Sequence, residues 1–177
     1  MMDDIKIVEQ ISSFKKIPLG SDAWRLAFYH IAREFWNMGE HFIVLDKASY
    51  EQNGYHLPLI REYKGSVAVQ FFTNYEKARI FVEDNKDLFE VAGKKLIYKI
   101  KQGAFQQVFA PFFAQQKFNY IINAPEEHFL DTFERLIGLM EADSDYIVDE
   151  FQKSLLDEGN YKEFFVDICK KYLVFVG

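Results

Sequence analysis

Residues 65–84, Gly-Ser-Val-Ala-Val-Gln-Phe-Phe-Thr-Asn-Tyr-Glu-Lys-Ala-Arg-Ile-Phe-Val-Glu-Asp, leave the chain little choice of local structure. Val67, Val69 and Phe71 recur at period two and Phe72 adds bulk at the end, the pattern of a buried strand. Thr73 and Glu76 have capping-box spacing. The hydroxyl would take a free amide of the first turn and the carboxylate would reach back to the Thr73 amide. Tyr75, Ala78, Phe81 and Val82 then give the helix an apolar stripe. A strand that turns straight into a capped helix requires a sheet with helices laid across it.

The flanking sequence extends this unit. Ile5, Val8, Ile11 and Phe14 predict a short amphipathic helix over 4–16, stopped before Pro18. Ser21 or Asp22 caps a second helix to about Asn37, with Trp24, Ala27, Phe28, Ile31, Phe35 and Met38 inward. Phe42–Leu45 reads as a strand. Asn53-Gly54 marks a turn, and 57–63 is the return strand, its Pro58 fitting a sheet edge. A polar connection over 85–94 leads to a strand at 95–101. The Phe-rich stretch 105–113 is helical but interrupted by Pro111. Phe118–Ile122 is a further strand. Pro125, Glu126 and Glu127 suit a helix start, with Phe129, Phe133, Leu136, Ile137 and Met140 as its core stripe. Two more helices, 146–158 and 161–173, follow the polar cluster at 143–145.

The expected fold is therefore α+β, close to α/β, with a mixed sheet of about five strands flanked by helices. The expected division is a domain over 1–143 and a C-terminal helical extension over 144–177, packed on it. Of 177 residues, 49% are hydrophobic and 19 are Phe, enough for a solid core.

Charge narrows the function. The net charge is -6. Residues 94–123 hold five Lys and no acid, whereas the following 54 residues hold 13 acids. An acidic chain without an Arg-rich face is a poor nucleic-acid binder. The acidic start, Met1-Met2-Asp3-Asp4, and the lack of a long apolar run predict no secretory signal and no membrane partner, hence a cytoplasmic protein. A lone Cys169 agrees with a reducing compartment, and its place on the apolar side of the last helix makes it a buried hydrophobe.

No catalytic motif is present. His30, His41, His56 and His128 are scattered without metal-ligand spacing, so no metal and no cofactor are expected. Gly65 precedes the central strand, so there is no phosphate loop, and no serine sits in a nucleophile elbow. Glu127 and His128 follow a strand end, where a general acid and base could sit, although two acids at a helix start more simply complement its dipole. With Thr73 and Asn123, each at a strand end, Glu127 and His128 form the candidate ligand site. Lys95, Lys99 and Lys101 are the candidate interaction surface, facing either an acidic partner or the acidic C-terminal helices.

Three segments together resemble the N-terminal domain of SseB-like proteins (enhanced serine sensitivity protein B). These are the aromatic helix and strand from Trp24 to Leu45, the stretch Val67-Ala-Val-Gln-Phe-Phe-Thr-Asn-Tyr-Glu-Lys-Ala-Arg-Ile-Phe, and Tyr120-Ile-Ile-Asn-Ala-Pro. The likeness spans roughly 20–142. Asn74 stands where that pattern has Ser, and Ala124 intervenes between Asn123 and Pro125. The resemblance implies an α/β domain without an established catalytic set. The resulting expectation is a non-enzymatic protein-interaction or regulatory module of uncharacterised role, with an unknown protein partner or self-association. The alternative is a small-ligand-binding protein or enzyme with a pocket near Thr73 and Asn123.

Overall fold

The computed structural model describes residues 2–49, 57–58, 60–63, 65–124, 129–143 and 161–177. The Asn53-Gly54 turn, the 146–158 helix, Pro125, Glu126, Glu127 and His128 lie outside the described residues.

Helix α1 (Met2–Phe14) and helix α2 (Asp22–Asn37) open the chain. Ser21 Oγ accepts from the Trp24 amide at 3.1 Å and caps α2. Ile7, which the expected stripe of α1 passes over, is fully buried beside Ile11. Strand β1 (Phe42–Asp46) is buried on both faces. Ile43 and Leu45 join the main core, and Phe42 and Val44 a second cluster.

The return segment serves two sheets, not one. Strand β2 (Leu57–Pro58) pairs with β1, whereas β3 (Ile60–Tyr63) pairs with β4 (Ser66–Phe71). Pro58 cannot donate to a ladder and sits on an edge strand, as its chemistry requires. Helix α3 (Tyr75–Asp84) and the single turn α4 (Lys86–Phe89) follow. A small hairpin, β5 (Glu90–Val91) and β6 (Lys94–Lys95), comes next. Ala92 and Gly93 both have positive φ in its two-residue turn. The expected continuous strand over 95–101 is thus split, and only β7 (Ile97–Ile100) enters the main sheet.

The expected Phe-rich helix begins with a π turn over Phe105–Phe109 and continues as α5 (Ala110–Gln115). Pro111 sits at the second position of α5, and the wider preceding turn makes room for a ring that cannot donate a hydrogen bond. Strand β8 (Asn119–Ile122) runs parallel to β4. Strand β9 (Phe129–Thr132) then pairs antiparallel with β8, where the sequence suggested helix. Its burial alternates, with Phe129 and Asp131 inside, so period two prevails over the helical stripe. Thr132 Oγ1 accepts from the Arg135 amide at 3.0 Å as α6 (Phe133–Asp143) begins. Helix α7 (Tyr161–Tyr172) runs into strand β10 (Leu173–Phe175), which the sequence did not signal.

The architecture is α+β. Among the described residues, the single five-stranded sheet expected is replaced by two four-stranded sheets, β10-β7-β1-β2 and β3-β4-β8-β9, besides the hairpin. They meet where Phe42 and Phe72 exchange backbone hydrogen bonds of 3.3 and 2.8 Å. The main core lies between the sheets and helices α1, α2, α5, α6 and α7. Phe35 is its hub, stacked on Tyr120 at 4.7 Å and edge-on to Phe71 and Phe105.

The C-terminal segment does dock on the basic stretch, through backbone and aromatic contacts. β10 pairs with β7, the Lys101 amide donates to the Tyr172 carbonyl at 2.8 Å, and Phe165 stacks on Phe112 at 5.1 Å. Cys169 is buried, and desolvation pushes its thiol up to about 12, so it acts as packing and not as a nucleophile.

Candidate functional site

The carboxyl ends of the parallel strands β4 and β8 form a hydrogen-bonded corner. Asn123 follows β8 with φ +57°, a left-handed conformation that asparagine tolerates better than most residues. Its Oδ1 accepts from the Thr73 amide at 3.0 Å, and its Nδ2 donates to Thr73 Oγ1 at 2.9 Å. Its own amide donates to the Phe71 carbonyl at 2.9 Å. Deeper in β4, the fully buried Gln70 donates from Nε2 to the Ala124 carbonyl at 2.7 Å, while its Oε1 has no hydrogen-bond partner among the described residues.

Thr73 and Asn123 are thus brought together as predicted, but each satisfies the other. Thr73 is not the helix cap. Asn74 Oδ1 takes the Lys77 amide at 2.8 Å, one residue later than expected, because the Thr73 side chain is already engaged by Asn123. Glu76 does not reach back either. It pairs with Arg79, whose other branch holds Glu83, and this holds the Glu76 carboxyl below its usual range.

A cavity of about 330 Å³ opens beside this corner, between α1 and α3. Val8 and Ile11 of α1, Phe72 at the strand end, Ile80 and Phe81 of α3, and Ala124 supply its apolar wall. Lys77, Asp84, Asn85 and Asn123 supply polar groups. The volume and the mixture suit a small organic ligand. On α3, positions 77, 80, 81 and 84 share one face at helical spacing.

The charges on that face are placed against the helix dipole. Lys77 sits in the first turn, where positive charge is disfavoured, and Asp84 is the last residue, where negative charge is disfavoured. Each misplacement costs about 0.3–1 kcal/mol. Among the described residues neither has a salt-bridge partner. The other flank of α3 is neutralised by Glu76, Arg79, Glu83 and Lys95. Sequence reasoning passed over Lys77, Ile80 and Asp84 because it followed only the core stripe. The 77-80-81-84 spacing, with charges at the wrong ends, was the available signal.

The three lysine candidates differ in their surroundings. Lys99 pairs with Glu40 at 2.9 Å and Lys95 lies 3.9 Å from Glu83, while Lys101 is exposed.

A smaller cavity of about 230 Å³ lies between the end of α2 and residues 100–106. Its His41 is 4% exposed, stacks on Phe105 at 3.8 Å, and hydrogen-bonds the Phe35 carbonyl at 2.7 Å. The carbonyl can only accept, so Nε2 carries the proton and the ring caps the end of α2. Burial lowers its pKa to about 4, the carbonyl contact opposing.

Asp131 is a buried carboxyl in the main core's wall. Its Oδ2 accepts from the Tyr120 hydroxyl at 2.9 Å, and its Oδ1 lies 3.5 Å from the Arg135 guanidinium. Desolvation raises its pKa to about 6 against the opposing pull of Thr132, Tyr120 and Arg135.

The two groups oppose each other. His41 resists protonation when folded, so its contribution is present above pH 6.5 and lost as pH falls toward 4. Asp131 favours protonation when folded, so its cost appears as pH rises from 3.8 to about 6. Each amounts to about 3 kcal/mol at most. Replacing Asp131 by Asn, which still accepts from Tyr120, removes one side of this balance. Asp131→Asn should be more stable than the wild type at pH 7, with the advantage gone at pH 4. Urea titrations at both values test this, and a pH-independent difference would refute it.

Among the described residues no group of three His, Cys, Asp or Glu could hold a metal ion, and no helix is long and apolar enough to cross a membrane. Compared with known proteins, the chain matches no protein-family model, no curated protein and no solved structure.

Proposed function

We propose that the chain is a non-enzymatic, small-ligand-binding regulatory module whose site is the cavity between α1 and α3. The observation that carries this reading is the position of the cavity. It lies at the carboxyl ends of a parallel strand pair, where α/β proteins commonly place ligands. The corner beside it has its polar groups spent on one another, which suits a rigid wall better than a reacting centre. Kinship with SseB-like proteins and a cytoplasmic location belong to the same proposal, supported by the β4–α3 unit, the Asn123 corner and the buried free Cys169.

A thermal-shift screen of polar and amphipathic metabolites tests it. At one hundred times its Kd a ligand adds about 2.7 kcal/mol, or roughly 5–10 °C for a chain of this size. The shift should vanish in Val8→Trp, which fills the cavity from a half-buried position on α1. Shifts that survive Val8→Trp, or none in the wild type, would contradict the proposal.

A second reading, a protein-interaction module, draws on Leu19, Leu26, Leu88 and Phe175, which leave large apolar side chains in solvent. A partner captured at both low and high salt, and lost when these four become Ser, would favour it.

A further inference from the structure

The α1–α3 cavity carries a charge pattern that specifies more than "small ligand". Lys77 and Asp84 are seven residues apart on one helix, which at ~1.5 Å per residue places them roughly 10 Å apart along its axis. Between them lie Ile80, 45% exposed, and Phe81. Neither charge has a salt-bridge partner among the described residues, and each stands at the end of the helix where the dipole opposes it. A single occupant with an anion at one end, a cation at the other and an apolar body would relieve both. An extended tripeptide spans about 10 Å at ~3.3–3.6 Å per residue.

We propose that this cavity binds a short apolar peptide with unblocked ends, its carboxylate at Lys77 and its ammonium at Asp84. The proposal rests on the ligand-binding reading above and adds the ligand class. Asn123 and Ala124 form the wall near the carboxylate end of the ligand, and the side chain of Asn123 is held by Thr73. Its own hydrogen-bonding capacity is therefore largely used, and the anion relies on Lys77.

Isothermal titration of the full chain with Ala-Val-Ala tests the assignment, using the free peptide and forms acetylated, amidated or both. The free peptide should bind about ten-fold tighter than the doubly blocked one, as two partly exposed ion pairs allow. Lys77→Met should abolish the preference for a free carboxylate and keep that for a free amine. Asp84→Asn should do the reverse. This crossed pattern would not follow from a purely structural role of either residue, and both positions are exposed enough for the variants to fold. Equal binding of free and blocked peptides, abolished by Val8→Trp, would overturn the charge assignment and leave the site standing. So would metabolites that bind the cavity where no peptide does. No ligand of any kind at the cavity would overturn both.

Discussion

Phe35→Ala should lower stability by about 3–5 kcal/mol, a large share of the ~5–15 kcal/mol of a typical domain. The ring is 1% exposed and ties α2 to the β3-β4-β8-β9 sheet and to the π turn. It stacks on Tyr120 of β8 and meets Phe71 of β4, Phe105 of the π turn and His41 ahead of β1 at 5.1–5.4 Å. No one neighbour can move to fill the space, because each is itself held by others. Phe105 lies against His41, and Phe133 touches Phe71 and Tyr120. The removed ring therefore leaves a cavity and adds that cost to the lost transfer energy. Leu26, on the outer side of the same helix and 58% exposed, is the control, and its replacement by Ala should cost under ~0.5 kcal/mol. Urea unfolding followed by circular dichroism measures both. A loss below ~1 kcal/mol at Phe35 would mean that this ring is not the hub of the main core.

The second large effect is expected at Asn123. Asn123→Ala removes two side-chain hydrogen bonds and leaves the buried Thr73 amide without its acceptor, a loss of about 1–3 kcal/mol. It also places a residue with a Cβ and no compensating amide at φ +57°, adding about 1 kcal/mol. Asn123→Gly loses the same hydrogen bonds but tolerates the backbone, so it should be the milder change by about that second amount. Both should weaken ligand binding, because Asn123 and Ala124 are cavity wall. Thermal melts of the two variants separate the contributions. Equal destabilisation would show that the backbone conformation costs nothing.

The sequence carried the local units well where period and capping agreed. α2, β1, β4 and β8 fall where Ser21, the 42–45 run and the 67–72 and 118–122 patterns place them. Three errors have one origin, the reliance on apolar spacing without knowledge of pairing. Residues 57–63 supply strands to two sheets, which no local pattern could announce. Phe129 and Phe133 fit a helical stripe, yet the side chain of Phe129 belongs to a strand because β8 offers an open edge. The last helix, expected over 161–173, ends at Tyr172, and Leu173–Phe175 forms a strand because β7 has an open edge on that side.

The site was half legible. Thr73 and Asn123 were singled out as strand-end residues, and they do meet, although as mutual partners. The cap moved to Asn74 because Thr73 cannot serve both the helix and Asn123. The groups that face the cavity, Lys77, Ile80 and Asp84, share a helical face legible from their spacing, but that this face looks onto a cavity is set by α1 lying opposite α3.

The most direct test of the ligand site is an amide NMR map. The isotopically labelled full chain would be titrated with a mixture of small amphipathic fragments. The account predicts that perturbed amides cluster at Ile11, Phe72, Ile80, Phe81 and Ala124, which meet only at the cavity. Perturbations centred elsewhere, or none at saturating fragment concentrations, would contradict it.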